Sequence, residues 1–142
     1  SNQKRKILLT QRVNEILNNK IKNKRITVLG VTFKANTDDM RESSSLVLIP
    51  YLLKKGALIR YYDPSGSKNE FKSIKNLQYV NNLNKACIGT DLIIINTEWD
   101  EFKSIDFKKI VKKNHFKIYD MRNLYNPEEM KKNNIKYYSI GR

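Results

Sequence analysis

Short runs of strand character alternate with helix-periodic stretches along almost the whole chain, and this alternation limits the possible folds more than any other feature. Leu92-Ile93-Ile94-Ile95 is apolar throughout and Ile26-Thr27-Val28-Leu29 nearly so, as strands buried on both faces require. Leu58 to Tyr62, Leu77 to Val80, Phe116 to Tyr119 and Ile135 to Tyr138 read as four more strands. Between them Ser44 to Lys55, Asn82 to Ile88, Phe107 to Lys113 and Pro127 to Met130 read as helices, the last opened by a proline at its first helical position. Strands that return through helices run mostly parallel, so the expected fold is α/β: a Rossmann-like, doubly wound, mainly parallel sheet with helices on both faces and strand order 3-2-1-4-5-6.

A long helix precedes this pattern. From Gln3 to Ile21 the apolar residues Leu9, Val13, Ile16, Leu17 and Ile21 recur at intervals of three and four, which predicts an amphipathic helix. It either folds against its own domain or forms the end of a helix shared with another one. The chain divides into 1–23, this helix, and 24–142, the α/β domain; Ser1 and Asn2 are compatible with an expression scar and carry no weight. Two local features refine the picture. Gly56 is placed to cap the helix that begins near Ser44. Pro50, inside that helix, deprives the Leu46 carbonyl of its partner, so a bend is expected rather than a break. The polar stretch from Ser65 to Lys75 reads as loop with a short helical turn.

Composition narrows the function classes. The chain has 142 residues and a single cysteine, Cys87, so it is long enough for one core and holds no internal disulfide, which suits a reducing cytoplasm. No apolar run approaches the ~18 to 20 residues that span a bilayer, and the first residues lack a signal core. The net charge of +14 raises nucleic acid as a partner. The cations are nevertheless dispersed through every segment, mostly as lysine among asparagine and isoleucine, and read as a solvated surface. A basic nucleic-acid-binding module is the contrasting class; it requires a contiguous Lys/Arg face.

The carboxyl ends of strands one, four and five share one rim in such a sheet, where open α/β folds bind ligands. Three distinctive segments follow those strands: Gly30-Val31-Thr32-Phe33-Lys34-Ala35-Asn36-Thr37-Asp38-Asp39-Met40-Arg41-Glu42-Ser43, Thr97-Glu98-Trp99-Asp100-Glu101-Phe102, and Asp120-Met121-Arg122-Asn123-Leu124-Tyr125. Gly30 stands without the remaining glycines of a dinucleotide fingerprint, so Lys34 and Arg41 must supply positive charge that bare amides cannot. With Tyr62-Asp63-Pro64 and the ending Tyr138-Ser139-Ile140-Gly141-Arg142, these segments resemble the carboxyl-terminal domain of the UDP-glucose and GDP-mannose dehydrogenase family, and within it the UDP-glucose-oxidising branch. The resemblance covers the chain from about Gln3 to the end; Met121, where many members have glycine, departs from it.

The resemblance implies that Phe33, Lys34 and Arg122 contact the UDP-sugar, UDP-glucose in that branch, and that Arg41 reaches an NAD held mainly by an absent amino-terminal domain. It also implies that 1–23 is the end of a central inter-domain helix, that the intact enzyme is a homodimer joined through that helix, and that no catalytic residue lies within this chain. The family's nucleophilic cysteine sits in a Gly-Gly-x-Cys type segment that this chain lacks, so Cys87, ahead of an apolar strand, reads as a buried structural thiol. Simpler readings stand beside these: Lys34 as one of many solvated lysines, Arg122 paired with Asp120, Phe33 as core, and Arg41 linked to Asp38, Asp39 or Glu42. Those carboxylates read better as complements of a helix amino terminus capped by Ser43 or Ser44 than as a metal site. His115, with no second histidine, carries no metal or relay role. Trp99 and Phe102 read as loop packing, with base stacking as the alternative for either ring.

Overall fold

The computed structural model describes residues 2–141. Six strands form one sheet in which every pairing is parallel. They are β1 (Arg25–Leu29), β2 (Leu58–Tyr62), β3 (Leu77–Tyr79), β4 (Leu92–Ile95), β5 (Lys117–Asp120) and β6 (Lys136–Ser139). Their spatial order, β3-β2-β1-β4-β5-β6, is the doubly wound order read from the sequence. The helices are α1 (Asn2–Ile16), α2 (Ser45–Lys54), α3 (Leu83–Cys87), α4 (Phe107–Val111) and α5 (Pro127–Lys132). A 3-10 turn at Asn69–Phe71 supplies the short helical turn expected between β2 and β3.

Side chains alternate across the sheet, and two cores result. Ile26, Val28, Ile59, Tyr61, Leu92 and Ile94 pack with α1 and α2 on one face. Leu29, Ile93, Ile95 and Ile118 pack with Cys87, Phe107, Ile110, Val111 and Met130 on the other. All four residues of β4 are fully buried, so the apolar run in the sequence is the centre of both layers. No helix among the described residues is long and apolar enough to cross a membrane.

The first helix differs from the expectation. It ends at Ile16 rather than Ile21, because Asn18 and Asn19 adopt left-handed φ of 54° and 60°, a conformation asparagine tolerates better than other non-glycine residues. The Lys117 ammonium donates to the Ile16 carbonyl at 2.6 Å, satisfying one of the acceptors left at that end. Leu9, Val13, Ile16, Leu17 and Ile21 are nonetheless all buried; the last two continue the apolar stripe from a turn. The stripe is therefore covered by this domain's own core.

The second helix begins at Ser45, not Ser44, and Ser44 makes no side-chain capping bond. Its other end is as expected: Gly56, at φ +96°, donates to Leu53 while Ala57 donates to Leu52, the paired bonds of a Schellman cap. The helix runs unbroken through Pro50. In α4 the end also comes early, where Lys112 turns left-handed at φ 54°. Asn82, read as helical, is instead the N-cap of α3 and accepts from the Lys85 N–H.

Candidate functional site

Register fixes where the site lies. Leu29 pairs with Tyr62 and Ile95, Ile95 with Asp120, and Asp120 with Ser139, so these residues form one row across the carboxyl edge. The segments that begin with Gly30, Asp63, Asn96, Met121 and Ile140 all leave from it.

The first segment is fixed on both sides of Val31. Its N–H donates to the buried Asp63 carboxylate at 2.7 Å, and its carbonyl accepts from Ser43 and Ser45, each at 2.6 Å. Ser43 Oγ also accepts from the Ser45 N–H at 3.2 Å, so these serines, rather than Ser44, tie the start of α2 to the end of β1. Further along, the Phe33 N–H donates to the Asp39 carbonyl at 2.9 Å and closes the loop on itself. Gly30 is required by packing. At φ +78°, a Cβ added there would lie 1.6 Å from Thr97 Oγ1 and 3.2 Å from the Phe102 ring. The space next to this glycine is thus filled by the segment after β4, and no pyrophosphate cradle opens there.

Asp120 organises the β5 segment. Fully buried at the strand's end, it accepts from the N–H groups of Arg122, Leu124 and Tyr125 at 3.0, 2.6 and 3.0 Å and from the Tyr137 hydroxyl at 2.6 Å. Four donors on one carboxylate satisfy its lone pairs without any guanidinium. The pairing of Arg122 with Asp120 is therefore made through the backbone, which leaves the Arg122 side chain to cross the rim. There its Nη2 donates to the Phe33 carbonyl at 3.1 Å, joining residues 89 apart in sequence.

Phe33, Arg122, Thr32, Asn96, Met121 and Ile140 line a cavity of about 180 Å³, together with Arg5, Lys6 and Leu9 of α1 and with Glu42 and Ser44. Phe33 is 48% exposed, so it is a wall of this cavity and not core. Lys34 is exposed and lies outside the cavity lining, though it follows the Phe33 carbonyl that Arg122 holds, so the two cations occupy the same rim. Arg41 points outward, its side chain 88% exposed, and forms a two-pronged bond with Asp39 at 3.0 Å on each prong. That bond, with a further N–H from Arg41 and the charge of Lys34, holds the Asp39 carboxyl below its ordinary range. Of the carboxylates weighed for Arg41, Asp39 is the one it grips; Glu42 lies 3.6 Å from Lys6.

Four buried side-chain atoms among the described residues have no hydrogen-bond partner: Asn96 Nδ2, Thr97 Oγ1, Trp99 Nε1 and Arg122 Nε. All four belong to the segments after β4 and β5. Phe102 is completely buried and Trp99 packs against the same core, as loop packing predicts. Sequence reasoning placed Asp63 and Asn96 in rim segments and offered Ser43 as a helix cap without assigning any of them a contact; it missed Ser45 and the α1 residues Arg5 and Lys6, which reach the rim from helices and not from strand ends.

Residues 27–127 match the model of the UDP-glucose/GDP-mannose dehydrogenase family, UDP binding domain. This chain belongs to the UDP-glucose/GDP-mannose dehydrogenase family. A UDP-glucose 6-dehydrogenase of Rickettsia bellii is 38% identical over 144 residues, covering 99% of this chain and 33% of the relative. Among solved structures, a UDP-D-ManNAc dehydrogenase from Pyrococcus horikoshii superposes over 96% of this chain and 30% of its own with a TM-score of 0.71 at 29% identity. An NDP-N-acetyl-D-galactosaminuronic acid dehydrogenase from Methanosarcina mazei superposes over 97% of this chain and 29% of its own with a TM-score of 0.79 at 26% identity. The chain thus spans about a third of the length of the relatives it matches.

Two residues are at rest in this family's UDP-binding domain. Cys87 is wholly buried and burial pushes its thiol up to about 12, so it is no nucleophile near neutral pH. His115 is exposed at the opposite, amino-terminal end of the sheet, ahead of β5. No group of three or more His, Cys, Asp or Glu among the described residues is arranged to hold a metal ion. Gly30 offers no cradle for a dinucleotide, and Arg41 is exposed and paired with Asp39.

Proposed function

We propose that this chain is the substrate-binding domain of a UDP-glucose 6-dehydrogenase, which oxidises the C6 hydroxyl of UDP-glucose to a carboxylate using two NAD. The single observation that carries the reading is the bond from the Arg122 guanidinium to the Phe33 carbonyl across the rim, at a cavity walled by Arg5, Lys6 and Arg122. A diphosphate leaving water needs matched cations. Arg122, oriented through Asp120 and Phe33, offers a fixed planar fork with an Nε still unpartnered. Lys34, exposed one residue beyond Phe33, adds a point charge, and the Phe33 ring gives an apolar face for the nucleotide to lie against.

NAD supplies the hydride acceptor when bound, mainly by the amino-terminal half of the enzyme. Arg41, now paired with Asp39, is the residue of this chain that would contact that cofactor. Helix α1, which ends at Ile16, is in this reading the end of the helix that joins the halves, with Ile7 and Leu8, 48% and 55% exposed, facing the rest of a homodimeric enzyme. The nucleophilic cysteine and the proton-transfer groups belong to the other half. This chain therefore binds and orients but releases no NADH from UDP-glucose on its own.

Calorimetry of the chain with UDP and UMP tests the diphosphate. UDP should bind more tightly, and Lys34→Ala and Arg122→Ala should each weaken UDP by about tenfold. Equal affinity for UDP and UMP would count against both residues. A related reading keeps the domain and changes the sugar, and it is favoured by the acetamido-sugar dehydrogenases among the structural neighbours. A panel of UDP-glucose, UDP-N-acetylmannosamine and GDP-mannose turned over by the intact protein separates the two.

A further inference from the structure

Asn96 is the first residue beyond β4 and is 4% exposed. Its backbone N–H continues the ladder to Leu29 at 3.0 Å, but its Nδ2 has no partner. Asparagines elsewhere in the molecule show what a structural role looks like: Asn123 both donates to and accepts from the backbone of Ile140, at 2.9 and 3.0 Å, and Asn126 caps α5. A buried amide left without such a bond loses its hydration and gains nothing in exchange. Asn96 also lines the rim cavity, together with Arg122, whose Nε is likewise unpartnered. The charged walls of that cavity are Arg5, Lys6, Arg122 and one carboxylate, Glu42, which lies 3.6 Å from Lys6. Two orphaned donors in a cationic cavity call for an anionic acceptor.

We propose that Asn96 is a ligand-contacting residue whose carboxamide donates a hydrogen bond to a phosphate oxygen of the bound nucleotide sugar. This inference rests on the nucleotide-sugar reading of the same site and adds a contact that no cation there provides. A neutral amide fixes the direction of a phosphate oxygen without adding charge, and the unliganded domain bears the cost of keeping it dry.

A contact of this kind has an unusual signature. Replacing Asn96 by leucine, of similar size, removes an unsatisfied buried donor, so the unliganded domain should melt at or above the parent temperature while its UDP affinity falls by about tenfold. Titrations of the parent chain, Asn96→Leu and Asn96→Asp with UDP and with uridine, followed by heteronuclear NMR, separate the outcomes. Support comes from a loss for UDP with little change for uridine, and from a larger loss in Asn96→Asp, which sets a carboxylate against the phosphate. Unchanged UDP affinity in Asn96→Leu, or parental affinity in Asn96→Asp, overturns the inference while the parent chain still binds UDP. So does a lowered melting temperature with equal losses for UDP and uridine, the pattern of a merely structural residue. If the parent chain does not bind UDP at all, the nucleotide-sugar reading fails, and this inference fails with it.

Discussion

Gly30 and Asp120 illustrate two ways in which single residues build this rim. At Gly30 the constraint is steric and conformational together: a methyl group would overlap Thr97 Oγ1 on a backbone already at φ +78°. Gly30→Ala should therefore cost on the order of 3 kcal/mol or more, since overpacking and left-handed strain add; urea unfolding of the variant measures it, and a change under 1 kcal/mol would refute the close approach. Asp120→Asn replaces a four-fold acceptor by a group with an NH₂ turned against donors. We expect a loss of about 3 kcal/mol and, because the Arg122 backbone is released, a larger relative loss of UDP affinity than in Lys34→Ala. Neither role was legible in the sequence. Gly30 stands there as a lone glycine without the rest of a fingerprint, and Asp120 enters only as the simpler alternative partner for Arg122. The decisive contacts, to Thr97 and to Tyr137, come from elements whose placement the local pattern does not specify.

At the scale of elements, periodicity was a good guide to what is buried and a poor guide to where a helix stops. The Gly56 cap and the Pro127 helix start followed from local rules, because each depends on a few neighbouring residues, and the strand order followed from the crossover topology of alternating strands and helices. The end of α1 did not. Leu17 and Ile21 keep the apolar spacing of a helix while Asn18 and Asn19 turn the backbone out of it, and burial alone does not distinguish the two. The packing of α1 on its own domain yields a measurable contrast. Val13 is fully buried and Leu8 is 55% exposed on the same helix, so Val13→Ala should destabilise the chain by about 2 kcal/mol and Leu8→Ala by less than about 0.5 kcal/mol. Thermal melts followed by circular dichroism test this; equal effects would mean that α1 is not part of the cooperative unit.

For the molecule as a whole, buried weak acids set the response to alkali. Burial raises the Cys87 thiol and the Tyr119 phenol each to about 12, and the Tyr125 phenol also upward. In the native state these groups keep protons that the unfolded chain releases from about pH 8.5 to 10. Stability is therefore fully present below that range and declines as pH rises toward about 12. Cys87→Ala should flatten the decline between about pH 9 and 11, as read from urea midpoints, and an unchanged slope would remove the thiol from the account. The same wholeness bears on the two-domain enzyme proposed above. The first turns of α1 bring Arg5 and Lys6 against the rim cavity, so a domain fused ahead of that helix is delivered to the mouth of the cleft by its own tether. In the two-domain enzyme proposed above, closure would then be an intramolecular event at an effective concentration on the order of millimolar, and a weak face-to-face contact between the halves would suffice to trap a substrate between them.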